Sequence, residues 1–85
     1  MTKDRKDLVA ALAHLLKVID EDYKEEMREL RELFEAAKKE AEKDEPDTVK
    51  LKALLADAKE MVRTFAALDP VWQVVQRVAK MFGLL

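Results

Sequence analysis

The stretch "KVIDEDYKEEMREL", residues 17–30, decides how many helices this chain forms. On both sides of it, apolar residues recur every three or four positions, as one buried face of an α-helix requires. The acidic run around Tyr23 suits either of two structures. It can lie inside a single long helix, or it can mark a break at which Asp22 and Glu25 form a capping box that opens a second helix.

Helical phase favours the single helix. When residues are placed at 100° intervals, the apolar side chains before and after Tyr23 fall on the same side, whereas an inserted loop would normally shift them. One extra step of four residues near Tyr23 is a stutter, which unwinds a supercoil locally without ending the helix. We therefore predict a first helix over about residues 3–43, roughly 60 Å long at 1.5 Å per residue. A break near Asp20 is the alternative, and it would give four helices.

The second helix follows the turn signal "KDEPDT" at residues 43–48. Asp47 or Thr48 is a suitable N-cap, because a short polar side chain can accept a hydrogen bond from a free backbone N–H group of the first turn. Apolar residues then occupy one face of the following segment, and charged residues occupy the opposite face. These features predict a helix over about residues 48–67.

The third helix begins with Asp69 as its N-cap and Pro70 at the first helical position. This is a favoured pairing, since the backbone nitrogen at that position needs no hydrogen-bond partner. Gly83 is suited to the left-handed conformation that commonly ends a helix. We predict a helix over about residues 70–82.

Composition indicates one all-α domain over residues 1–85. More than half of the chain is Ala, Glu, Lys, Leu or Arg, which is typical of long helices. With 85 residues and no cysteine, a single hydrophobic core must hold the fold without disulfides. The predicted fold class is therefore an all-α bundle of three helices.

Charge and hydropathy argue against several classes of partner. The formal net charge is −2, which disfavours a dedicated nucleic-acid binder. No stretch approaches the roughly 18 uncharged apolar residues of a membrane span. The first residues are polar and no cleavage site follows them, so we expect no signal peptide and a cytoplasmic location.

Residues that could support catalysis or metal binding form no recognisable pattern. His14 is the only histidine, and its neighbours four residues away, Ala10 and Val18, are not metal ligands. Serine and cysteine are absent, which removes the commonest activated nucleophiles. The glutamates of the first helix alternate with Lys and Arg as ordinary surface ion pairs do. We predict a non-enzymatic protein with no catalytic, cofactor-binding or metal site, and no cofactor.

The last helix is apolar over about half of its circumference, a wider face than the stripe of an ordinary surface helix. Half of the long first helix also lies beyond the reach of the shorter second helix, because each residue adds only about 1.5 Å. We expect these two apolar surfaces to be covered by each other. The candidate interface residues are Leu8, Leu12, Leu15, Ile19, Val71, Trp72, Val75, Val78 and Phe82.

Three arrangements would bury that last helix. It can form the core of a monomeric bundle, it can pair with the first helix of a second chain, or it can bind a membrane surface or a foreign helix. Its polar arc carries two cations, too few for strong binding to anionic lipid. We predict a protein-interaction or self-assembly module whose partner is a second copy, in a homo-oligomer, or another helical protein.

The run "EPDTVKLKALLADAKEMV", residues 45–62, followed by "PVWQVVQRVAKMFG", residues 70–83, resembles the small helical C-terminal domains attached to bacterial conflict and signalling effectors. The resemblance covers about residues 25–84. It consists of an acidic helix, a Pro-Asp turn, a leucine-rich helix and a hydrophobic last helix. It implies an adaptor that recruits or assembles partners without chemistry of its own, and it transfers no functional residues.

The chain also resembles computationally designed helical bundles. Ser and Asn are absent, and Glu, Lys, Ala and Leu dominate between regularly placed caps. His14, Gln73, Gln76, Met81 and the valine-rich last helix fit an idealised design less well. This second resemblance implies a bundle, or a designed binder, with no native biochemical activity.

Overall fold

The computed structural model describes residues 3–85, with side chains from Arg5 onward. Two short 3₁₀ turns, Glu25–Met27 and Ala66–Leu68, lead into the second and fourth helices. No strand occurs among residues 3–85, and the predicted all-α class is confirmed. The four α-helices are α1 (Lys3–Glu21), α2 (Arg28–Ala41), α3 (Thr48–Val62) and α4 (Asp69–Met81).

The helices form an up-down-up-down bundle. Arg31 near the start of α2 binds Asp20 at the end of α1, and Arg5 near the start of α1 donates to the carbonyl of Asp44 just after α2. These contacts make α1 and α2 antiparallel. α3 returns along α2 after a short turn, and α4 packs on α1. The bundle measures 33 × 19 × 18 Å, so it has no room for a straight helix of about 60 Å.

The favoured single helix over residues 3–43 is therefore wrong, and the alternative break near Asp20 is present. The chain leaves helical geometry after Glu21 and resumes an α-helix at Arg28. Folding back lets the apolar stripes of both halves bury each other, whereas a continuous helix would leave one half exposed to water. Helical phase does not detect this reversal, because both stripes face the same core after it.

The link between α1 and α2 is short and does not use the proposed capping box. Lys24 is extended, with φ −126° and ψ 147°, and it stands at the N-cap of the 3₁₀ turn without a side-chain cap. Asp22 instead continues from α1 through a hydrogen bond from its backbone N–H to the carbonyl of Ile19, at 3.3 Å. Glu25 and Glu26 lie in the first turn of the new segment. Acidic side chains there interact favourably with the positive end of the helix dipole.

α3 begins as the sequence predicts but ends earlier. Of the two candidate caps, Asp47 is the N-cap, and its carboxylate accepts a hydrogen bond of 3.1 Å from the backbone N–H of Lys50. The last helical residue is Val62 rather than residue 67. Phe65 leaves helical geometry, with φ −123° and ψ 78°.

α4 begins one residue before the predicted helix. Leu68 is its N-cap and Asp69 is already helical, so the prediction of Asp69 as the capping residue is wrong. The preceding 3₁₀ turn explains the shift, because it places Leu68 in the core with only 2% of its surface exposed. Pro70 lies in the first turn, as predicted.

The C-terminal end of α4 folds back onto the bundle at Gly83. This glycine has φ +73°, and its N–H donates to the carbonyl of Lys80 at 3.0 Å. The N–H of Leu84 donates to the carbonyl of Ala79, also at 3.0 Å. The two bonds form a Schellman motif, which satisfies the last free carbonyls of the helix. As a result Leu84 is buried in the core.

The core is filled from all four helices. Phe34 of α2 is fully buried, and its ring centroid lies 5.9 Å from that of Trp72 on α4. Aromatic pairs at this separation contribute about 0.5–1.5 kcal/mol beyond the area they bury. Helices α2 and α4 otherwise share few backbone contacts, so this pair of rings provides direct packing between them.

Candidate functional site

Six of the nine candidate interface residues are covered by their own chain. Each of the six has at most 4% of its surface exposed. The uncovered half of the predicted first helix thus meets the last helix within one molecule. A partner cannot reach these side chains in the folded chain. They are Leu8, Leu12, Leu15 and Ile19 of α1 and Trp72 and Val75 of α4.

The other three candidates, Val71, Val78 and Phe82, are half-buried and pack against the edge of the core. Beside them, Val74 is 45% exposed and Met81 is 63% exposed. Neither Val74 nor Met81 was among the candidate residues. The signal that reveals them is the breadth of the apolar face of this helix, which is too wide to be buried on one side.

We call this outward surface the α1–α4 face and define it by Val71, Val74, Val78 and Met81 of α4 with Ala10 and His14 of α1. The valines and Met81 follow one another at intervals of three or four residues, so they line one side of α4. Ala10 and His14 are exposed on the adjoining side of α1.

A shallow groove of about 380 Å³ runs along this face between the two helices. Ala10 and Ala11 line it on the α1 side, and the three valines line it on the α4 side. Small side chains on one helix let a third helix approach closely. Asp7 and His14 lie at the polar edge of the groove. Such a surface can accept apolar side chains from a protein.

The remaining outer surface is mostly charged. Ion pairs follow α2 at spacings of three or four residues, such as Lys38–Glu42 at 3.3 Å and Lys39–Glu35 at 3.5 Å. Four large apolar side chains are strongly exposed in the described chain, and two of them, Val74 and Met81, belong to the α1–α4 face. Of the other two, Tyr23 lies in the link between α1 and α2, and Val49 lies in the first turn of α3. The α1–α4 face is therefore where exposed apolar surface is concentrated.

Arg31 stabilises the reversal of chain direction between α1 and α2. Its Nε donates to Oδ1 of Asp20 at 2.7 Å, and its Nη1 donates to Oε2 of Glu35 at 2.6 Å. These hydrogen bonds to the guanidinium lower the pKa of Asp20 and the pKa of Glu35 below their ordinary values. All three side chains are partly exposed, and each is engaged by another, so the cluster stabilises the fold rather than forming a reactive site.

Glu40 is the one fully buried charged residue among residues 5–85. Its carboxylate accepts a hydrogen bond from the backbone N–H of Asp47 at 3.0 Å and one from Lys43 Nζ at 3.0 Å, and Lys50 Nζ lies 3.5 Å away. The bond from Asp47, followed by that from Lys43, lowers the pKa of Glu40 to about 2. A carboxylate held this firmly in its charged form is a poor proton donor or acceptor near neutral pH.

No sequence motif marks the role of Glu40. Its position is informative in retrospect, since it lies between Ala37 and Ala41 at the edge of the apolar stripe of α2. A short turn with free backbone N–H groups follows it. A charged residue in that position needs fixed partners, because burying an unpaired charge is costly.

Residues 5–85 hold no group of three or more His, Cys, Asp or Glu side chains that could bind a metal ion. No helix in the described part of the chain is long and apolar enough to cross a membrane. No protein-family model, curated protein or solved structure was found to match this chain.

Proposed function

We propose that this chain is a non-enzymatic protein-interaction module that acts in the cytoplasm through its α1–α4 face. The observation that carries the proposal is the exposure of Val74 and Met81 on a helix whose opposite side is fully buried. Isolated apolar residues are common on protein surfaces, but a contiguous row of them along one helix is typical of binding sites.

The partner that suits this face is a helix. A helix laid along α4 would place its own apolar side chains, spaced by three or four residues, against Val71, Val74, Val78 and Met81. That helix belongs either to a second copy of this chain, giving a homo-oligomer, or to another helical protein. An adaptor role of this kind is also what the resemblance to effector-associated domains implies.

The size of the face suggests a reversible contact. Burying an exposed Val or Met side chain contributes about 1.5–3 kcal/mol, and these side chains are already half covered. Association also costs several kcal/mol in lost translational and rotational freedom, with estimates from about 4 upward. The free energy gained by burying four side chains exceeds this cost only slightly. We therefore expect a transient complex unless flanking residues add further contacts.

Sedimentation equilibrium at micromolar concentrations tests the self-associating form of the proposal. Val74→Asp places a charge in the middle of the α1–α4 face, and Val49→Asp makes the same change on α3, where the valine is 78% exposed. We expect the parent chain and Val49→Asp to exceed the monomer mass as concentration rises, and Val74→Asp to remain monomeric. If the parent chain is monomeric at every concentration, the second copy is excluded as the partner.

A further inference from the structure

A small cavity lies at the end of the bundle where α1 begins and α4 ends. Its volume is about 110 Å³, and the surface it exposes is apolar throughout. Its apolar lining residues are Leu8 of α1, Leu51 of α3, Pro46, and Phe82 and Leu84 at the end of the chain. Arg5 and Thr48 also line it, but neither exposes a polar atom to the cavity. This cavity shares no lining residue with the α1–α4 face, so a ligand in it would not depend on the proposed interaction.

The cavity arises because several chain segments meet there at their ends. The Schellman turn at Gly83 brings Leu84 back toward the core, and Pro46 shapes the turn that precedes α3. Leu8, Leu51 and Leu84 are each at most 3% exposed, so their side chains are packed into this end of the core. They do not fill the space between these chain segments completely.

Protein interiors usually contain few voids larger than a water molecule, because the lining atoms lose dispersion contacts across the gap. Water gains little by entering this cavity, since a buried water typically needs about three hydrogen bonds. The exposed lining offers none. A compact apolar molecule would restore the missing contacts without losing any hydrogen bond to the protein.

We propose that this cavity is a binding site for a small, uncharged and apolar molecule, such as a short hydrocarbon. A cavity of about 150 Å³ lined by Leu, Ile and Phe side chains can stay dry and bind benzene or xenon. The present cavity is somewhat smaller, so its occupant must be compact. Charged and strongly polar molecules are disfavoured, because the lining exposes no polar atom that could replace their hydration.

Methyl NMR with dissolved xenon tests this site in the full chain. Xenon is fully apolar and reports binding through shifts of the methyl groups it touches. We expect saturable shifts of the Leu8, Leu51 and Leu84 methyl signals as xenon pressure rises. The Leu30 and Leu68 methyls, at the opposite end of the bundle, should stay unchanged. Helium at the same pressures separates binding from the effect of pressure.

Two variants extend the test. Leu51→Phe should fill the cavity and abolish the xenon-induced shifts at Leu8 and Leu84. Leu8→Ala should enlarge the cavity and allow benzene to produce saturable shifts at Leu51 and Leu84. The parent chain decides the question even if Leu51→Phe fails to fold. Shifts that do not saturate, shifts that spread evenly over the chain, or no shifts at these three leucines would overturn the proposal.

Discussion

The carboxylate of Glu40 accepts a 3.0 Å hydrogen bond from the backbone N–H of Asp47, seven residues further along the chain. The side chain of Asp47 in turn caps α3 by accepting from the N–H of Lys50. One turn residue therefore donates to the end of α2 and accepts from the start of α3. The pair thus joins the end of α2 to the start of α3 across the intervening turn.

The first prediction concerns the pH dependence that Glu40 gives to stability. The folded-state pKa of Glu40, at about 2, lies below the ordinary value of 4.5. Its contribution to stability is therefore fully present above about pH 4.5 and is lost as the pH falls toward 2. Glu40→Gln removes that contribution. We expect the variant to be less stable than the parent at pH 7, and the difference to shrink between pH 4.5 and 2.

Urea unfolding followed by circular dichroism at several pH values measures this difference. Glu32→Gln is the matched control, because Glu32 is an exposed glutamate on the same helix. We expect Glu32→Gln to change stability little at any pH. A constant gap between the parent and Glu40→Gln from pH 7 to pH 2 would contradict the proposed role of the buried carboxylate.

A second prediction concerns the ion pair between Asp20 and Arg31. Asp20→Asn removes the charge that the guanidinium binds at 2.7 Å, so it should lower the free energy of unfolding. The effect should be small and should decrease at high salt, because both side chains are partly exposed and added ions screen them. It should also vanish at acidic pH, since the pKa of Asp20 is lowered and its stabilisation is lost when the carboxyl is protonated.

Asp22→Asn serves as its control, since it makes the same change two residues later in the exposed link. Thermal unfolding in low and high salt gives the comparison. Equal effects of the two substitutions would show that the total negative charge of the acidic stretch, rather than the contact with Arg31, determines stability there.

A third prediction concerns Gly83. Its φ of +73° is a conformation that side chains with a Cβ rarely adopt, although an added Cβ would meet no atom within 4 Å. Gly83→Ala should therefore destabilise the chain through backbone strain alone, by about 1–2 kcal/mol. Gly83→Asn should cost less, because Asn tolerates this conformation better. Chemical denaturation of both variants checks the order, and equal stability of Gly83→Ala and the parent would contradict it.

The sequence predicts most helix positions because they depend on local signals. Asp47 caps α3, Pro70 lies in the first turn of α4, and Gly83 takes the positive φ that follows α4. The apolar stripe of α1 also identifies four buried residues correctly, Leu8, Leu12, Leu15 and Ile19. These features need no knowledge of the tertiary fold.

The break after Glu21 could not be predicted in the same way. Local phase and the absence of Gly and Pro both favour a continuous helix there. The reversal is stabilised instead by contacts between distant residues, such as Arg31 with Asp20 and Arg5 with Asp44. A helix of the predicted length leaves half of α1 uncovered, so the sequence leaves open whether α4 covers it within one chain or from a second chain. Val74 and Met81 were not among the candidate interface residues.

Photo-cross-linking from position 74 tests the proposed interaction most directly, because it detects a second copy and a foreign partner alike. A photoreactive amino acid replaces Val74 in one variant and Val49 in the control, and both variants are irradiated in the expressing cell and after purification. We predict discrete protein adducts from position 74 and none from position 49. An adduct of twice the chain mass would identify a homodimer. Equal labelling from both positions, or no adduct from position 74, would contradict an interaction through the α1–α4 face.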